Sequence, residues 1–135
     1  MTIELTRDRD AALAQKLQIR QHALVTDGSV AEGGTDGGPS PHDLYDAALA
    51  SCKAVTVMWY ARKKGIPVDD IHTVVERDDS QERAGVYKLA TTLRISGALT
   101  DAQLDELAKV AAKCPVHKLM TSVTTEVTTK VERLS

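Results

Sequence analysis

Apolar and polar positions change their period several times along the chain, and each change marks an element. Ile3–Arg7 reads as a short opening strand, and Leu17–Thr26, where Leu17, Ile19, Ala23, Leu24 and Val25 mix with polar residues, reads as the strand that returns beside it. From Asp27 to Pro41 glycine and proline crowd the sequence and the periodicity stops, so an irregular loop with tight or left-handed positions is expected. Ser40-Pro41-His42-Asp43 then opens a helix: Ser40 can cap it, Pro41 suits the first helical position, and Asp43 completes a capping box. The helix is predicted over Pro41–Lys64, closed by Arg62, Lys63 and Lys64 in its last turn, by Gly65 in the left-handed conformation, and by Pro67 beyond.

Between Leu44 and Ala61 the only charges are Asp46 and Lys53, which lie on nearly the same face of a helix. These two are expected to face solvent while almost every other face is buried. That is more apolar surface than one small sheet covers, so part of the helix is expected to pack on a second copy of the chain. His72–Asp78 and Val86–Ser96 read as two further strands, the second with Tyr87, Leu89, Thr91, Leu93 and Ile95 alternating against polar neighbours. Thr100 with Gln103 forms a second capping box, and Leu104, Leu107, Ala108 and Ala111 continue as a helical stripe that must stop near Cys114. A short helical turn over Val116–Met120 and a last strand in which Val123, Thr125, Val127, Thr129 and Val131 alternate complete the pattern. The order ββαββα(α)β predicts an α+β fold, an antiparallel sheet packed on a long central apolar helix.

Length and composition narrow the picture. The 135 residues, 14.6 kDa, make one domain over the whole chain. Seventeen Lys and Arg against nineteen Asp and Glu give a net charge of −2, too balanced for a nucleic-acid or anionic-membrane binder. No uncharged apolar run approaches the ~18–20 residues that span a bilayer. With Glu4, Arg7, Asp8 and Arg9 near the start and no apolar stretch behind them, no signal peptide is read and a cytoplasmic protein is expected. In that compartment the two cysteines are thiols rather than a disulfide scaffold.

Those cysteines carry the candidate chemistry. Cys52, three turns into the long helix, reads either as a small buried hydrophobe or as a nucleophile. Cys114 stands directly before Pro115, at the cap position of a short helix, where orphan N–H groups collect and favour a reactive thiol. Cys114 and His117 have a C-x-x-H spacing, but no second ligand pair accompanies them, so neither a metal nor any other cofactor is expected. The glycines of GGTDGGPSP match no phosphate-binding pattern, and Glu32 and Asp36 would repel phosphate; a shaped loop is the better reading.

The stretch GGTDGGPSPHDLYDAALASCKAVTVMWYARKKGIPV followed by AKCPVHKLMTSVTTEV resembles the OsmC/Ohr superfamily of osmotically induced and organic hydroperoxide resistance proteins, in particular its short OsmC-like branch. The resemblance implies an intertwined homodimer with paired central helices and sites at the interface. It implies that Cys52 is the peroxidatic cysteine and Cys114 the resolving one, with an acidic residue near the start of the helix and an arginine from the N-terminal part beside them. Asp43 is the candidate acid, and Arg20 the candidate arginine with Arg7 and Arg9 as alternatives. Ser40-Pro41-His42 stands where the hydroperoxide reductases have Asn-Pro-Glu, so the carboxylate has moved one place. The implied function is a thiol-dependent peroxidase that reduces organic hydroperoxides in oxidative or osmotic stress, through a Cys52 sulfenic acid and a Cys52–Cys114 disulfide that an external dithiol reduces. The alternative is an OsmC-like redox-sensing or small-molecule-binding protein with little peroxidase activity.

Overall fold

The computed structural model describes residues 1–134. Its elements are β1 (Ile3–Arg7), β2 (Gln15–Ile19), β3 (His22–Thr26), α1 (Pro41–Lys64), β4 (Val68–Asp78), β5 (Lys88–Gly97), α2 (Asp101–Ala112) and α3 (Pro115–Thr121). They divide into two compact units: Met1–Ala48 with Val75–Ala90, and Leu49–Val74 with the chain from Thr91 onward. Among the described residues no helix is long and apolar enough to cross a membrane.

In the first unit β1, β2 and β3 form an antiparallel sheet with β2 in the centre. The expected single strand over Leu17–Thr26 is thus two strands. Ile19 pairs with His22, so Arg20 and Gln21 make a two-residue turn, and Arg20 takes the positive φ of 52° that such a turn requires at its first central position. No glycine or asparagine marks the turn, which is why the sequence pattern runs through it.

The glycine-rich loop that follows is folded around one carboxylate. Asp27 accepts the N–H groups of Gly28 (2.7 Å), Thr35 (3.1 Å) and Gly37 (3.0 Å) and the Thr35 hydroxyl (3.1 Å). Donors that a phosphate would need are therefore already used inside the loop. The loop is returned to β3 by Pro39, whose carbonyl accepts the Asp27 N–H at 3.2 Å and the Thr26 hydroxyl at 2.8 Å. The N–H groups of Gly37 and Thr35, in that order, hold the Asp27 carboxyl below the usual carboxylate range.

α1 has the predicted bounds, and both ends close as the sequence requires. Ser40 Oγ accepts the Asp43 N–H (3.1 Å) while Asp43 accepts the Ser40 N–H (3.0 Å). At the other end Gly65, with φ +67°, lets Ile66 donate to Ala61 O (2.9 Å) and Gly65 to Arg62 O (3.4 Å), a double-bonded left-handed stop.

The second unit holds the main core, in which Val57 and Ala61 of α1 meet Ile66, just beyond the end of α1, and Leu107 of α2, with Ile71, Leu93 and Ile95 of the strands packed against them. The buried stripe of α1 runs through Asp46, Leu49, Lys53, Val57 and Ala61. Asp46 and Lys53 are each only 5% exposed, so the expected outward charged face is the inward face. The reason is that both charges find partners, described below, whereas Tyr45, Val55 and Trp59 on the other sides of α1 stand exposed in the single chain. The last strand expected over Val123–Val131 also differs: among the described residues this segment pairs with no strand, and its valines lie open. A strand needs a ladder on a neighbouring edge, and this segment joins neither the β1-β2-β3 sheet nor the β4-β5 pair.

Candidate redox site

Both cysteines lie in the second unit, and Cys52 meets the start of the helix that Cys114 caps. Cys52 is half-buried on α1, one position before Lys53 of the inward stripe. Its Sγ accepts the backbone N–H of Val116 at 3.4 Å and lies 3.9 Å from the Thr56 hydroxyl one turn on. Val116 is the second residue of α3, and Cys114 is the cap of that helix, with extended backbone (φ −63°, ψ 146°) and Pro115 at the first position. The N–H that reaches Cys52 is one of the orphan donors every helix start leaves open. Cys114 itself is fully buried and, like Cys52, a free thiol.

Lys53 fixes the loop that carries Cys114. Its Nζ donates to Ala111 O at 2.8 Å, one of the unpaired carbonyls at the end of α2, and to His117 Nδ1 at 3.0 Å in α3. Cys114 lies between these two anchors. Sequence reading missed this tie because it placed Lys53 in solvent; the spacing from Leu49 and to Val57 was the available signal.

Asp43 and Arg20 are both in the first unit, where the structure does not pair them. Asp43 does orient a guanidinium, but it is that of Arg77, whose Nη2 donates to Asp43 Oδ1 at 2.7 Å. Arg77 Nε donates to Asp46 Oδ2 at 2.5 Å, and the Tyr87 hydroxyl donates to Asp46 Oδ1 at 2.7 Å. The Ser40 N–H, and after it Arg77, hold the Asp43 carboxyl low. Burial, and then the bond to Asp46, push the Tyr87 phenol up to about 12. Arg77 continues the alternate positions Ile71, Thr73 and Val75 along β4, which is the signal that placed an arginine on that face of the strand. Arg20 occupies the exposed β2–β3 turn. His42 meets Glu82 at 2.6 Å in a solvent-exposed pair.

Comparison with known proteins bears on the whole arrangement. A family model described as OsmC-like protein matches residues 34–130. No curated protein matches the sequence. Among solved structures, the chain is similar to one from Psychrobacter arcticus 273-4 assigned to the osmotic stress induced and detoxification response, at 23% identity and a TM-score of 0.75, over 90% of this chain and 89% of that one. The OsmC like protein from Mycoplasma pneumoniae is 19% identical with a TM-score of 0.70, over 90% and 87% of the two chains. The organic hydroperoxide resistance protein OhrB of Bacillus subtilis is 22% identical with a TM-score of 0.57, over 90% of each chain. At these identities the likeness to the solved structures is one of fold.

Proposed function

Since the chain belongs to the OsmC-like protein family, we propose that it is a thiol-dependent peroxidase of the cytoplasm that reduces organic hydroperoxides. The observation that carries this reading is the approach of Cys52 Sγ to the Val116 N–H at 3.4 Å, which sets the sulfur beside the cap that bears Cys114. In the proposed cycle the Cys52 thiolate attacks the outer peroxide oxygen, the O–O bond breaks, and the alkoxide leaves and takes a proton to become the alcohol. Cys52 is then a sulfenic acid. The Cys114 thiol attacks that sulfur, the S–O bond breaks and water leaves, giving the Cys52–Cys114 disulfide. An external dithiol supplies the two electrons that restore both thiols.

The other assigned residues take supporting parts. Asp43 holds Arg77 in place, and Arg20, on its exposed turn, is the arginine proposed to serve the thiolate. Replacing Arg20 with glycine suits the positive φ and leaves the turn intact, so a rate unchanged by Arg20→Gly would remove Arg20 from the site.

A homodimer belongs to the same reading. In the first unit Ile3 and Leu5 of β1 and Leu24 of β3, and in the second Val55 and Trp59 of α1, are exposed in the single chain, and a second copy is proposed to cover them. A second copy would also provide the ladder that Val123–Val131 lacks. Sedimentation equilibrium at micromolar concentration tests this, and a stable folded monomer would count against it.

Stopped-flow oxidation of the reduced protein by cumene hydroperoxide tests the activity. A second-order rate well above that of free cysteine, followed by a Cys52–Cys114 disulfide in non-reducing peptide maps, is expected. A rate no faster than free cysteine would leave the redox-sensing or ligand-binding alternative in its place.

A further inference from the structure

Beside the core of the second unit lies a cavity of about 440 Å³. Leu93 and Ile95 of β5 and Leu104 and Ala108 of α2 contribute to its apolar wall, and Lys53, His117 and Thr91 are its polar lining. The volume lies in the ~300–1,000 Å³ range of small-molecule sites, which share this build of apolar walls with a few placed polar groups.

The polar end of the cavity has an unbalanced charge. Lys53 is 5% exposed, and among the described residues no carboxylate lies within ion-pair distance of its Nζ. An ammonium has three N–H donors and no acceptor. Ala111 O and His117 Nδ1 take two of them, so one is left over. Because the ammonium can only donate, Nδ1 must be the accepting nitrogen of the ring, which puts the proton of the neutral imidazole on Nε2. The wall thus holds a positive charge and two N–H donors beyond those the protein satisfies. A buried charge without a counter-charge is costly, and an anion arriving beside it removes part of that cost.

We propose that this cavity binds an apolar monocarboxylate of medium chain length. The carboxylate sits against Lys53 Nζ and His117 Nε2, one oxygen to each, and the tail lies along Leu93, Leu104 and Ala108. One ammonium balances the single charge of a carboxylate and would leave a phosphate dianion half-neutralised. The site shares Lys53 and His117 with the tie that anchors the Cys114 loop but uses neither thiol, so its binding is tested whether or not Cys52 reacts with peroxides.

Titration of the reduced wild-type protein with sodium octanoate tests this, followed by methyl-resolved NMR and calorimetry. Saturable binding is expected, with shifts in the Leu93, Ile95, Leu104 and Ala108 methyls. Octanamide, with the same tail and no charge, should bind at least tenfold more weakly. Lys53→Met should erase the preference for octanoate over octanamide, and because the comparison of the two ligands is first made on wild-type protein, a poorly folded variant does not remove the test. Equal binding of octanoate and octanamide would overturn the proposal. So would methyl shifts confined to Val55 and Met58 on the outer face of α1, or no saturable binding at millimolar octanoate.

Discussion

Truncating Leu107 to alanine is the sharpest test of how the second unit is held together. Leu107 is wholly inaccessible to solvent and packs on Val57 and Ala61 of α1, which are 0% and 1% exposed. Loss of its terminal carbons forfeits about 2 kcal/mol of transfer free energy at ~0.8 kcal/mol per buried methylene. A void remains because the facing wall is a helix backbone that cannot follow the shortened side chain, and measured buried Leu→Ala changes accordingly span ~2.7–5 kcal/mol. With no accessible surface of its own, Leu107 should lose about 3 kcal/mol on truncation. Leu104 supplies the control: it lies one turn away on α2 with the same chemistry but is 40% exposed, and its truncation should cost about 1 kcal/mol. Urea unfolding at fixed protein concentration, under reductant, measures both. With a slope of ~1–3 kcal/mol per molar urea, Leu107→Ala should lower the midpoint by about 1–2 M. A loss below about 1.5 kcal/mol, or equal losses at the two positions, would refute the packing described for α2 against α1.

Three further outcomes are expected. Asp46→Leu should lower the urea midpoint by leaving Arg77 and Tyr87 without a shared acceptor, while the triple change Asp46→Leu, Arg77→Met, Tyr87→Phe should recover most of the loss; in the single variant the Tyr87 phenol, followed by tyrosine-selective NMR, should titrate below about 12. Because the Asp27 carboxyl is held below its ordinary 3.8 in the folded chain, its stabilisation is complete above about pH 4 and is lost as pH falls through the depressed folded value; the midpoint gap between wild type and Asp27→Asn should close over that acid range, and a gap independent of pH would contradict the loop geometry. Cys114→Ser should match wild type in its first turnover with cumene hydroperoxide and then accumulate Cys52 sulfinic acid by mass spectrometry, whereas Cys52→Ser should not react from the start.

Elements closed by strong local signals were legible in the sequence. Ser40 with Asp43, Thr100 with Gln103, and Gly65 each act within a few residues, so α1 and the start of α2 could be drawn from the pattern alone. What escaped depends on partners distant along the chain. Asp46 looked solvent-facing because Arg77 and Tyr87, which neutralise and bond it, lie 31 and 41 positions away. Lys53 looked outward for the same reason, since Ala111 and His117 are 58 and 64 positions off. The candidate site was half legible: the two cysteines come from motifs, but the Val116 N–H that meets Cys52 belongs to the backbone and has no signature in the sequence. The arginine beside Asp43 was sought near the N-terminus and lies on β4.

The open segment after α3 has a consequence for how it can be joined to anything else. Val123, Thr125, Val127, Thr129 and Val131 fall on one side of an extended chain, while Thr124, Glu126, Thr128, Lys130 and Glu132 fall on the other. Exposed alternating segments of this kind are templates for indiscriminate edge pairing and aggregation. Here the charges act as gatekeepers, because sliding the segment by one residue against any edge that buries its valines would bury Glu126 and Lys130 instead. Thus the same two residues that keep the free segment in solution also restrict it to one register once it finds its edge.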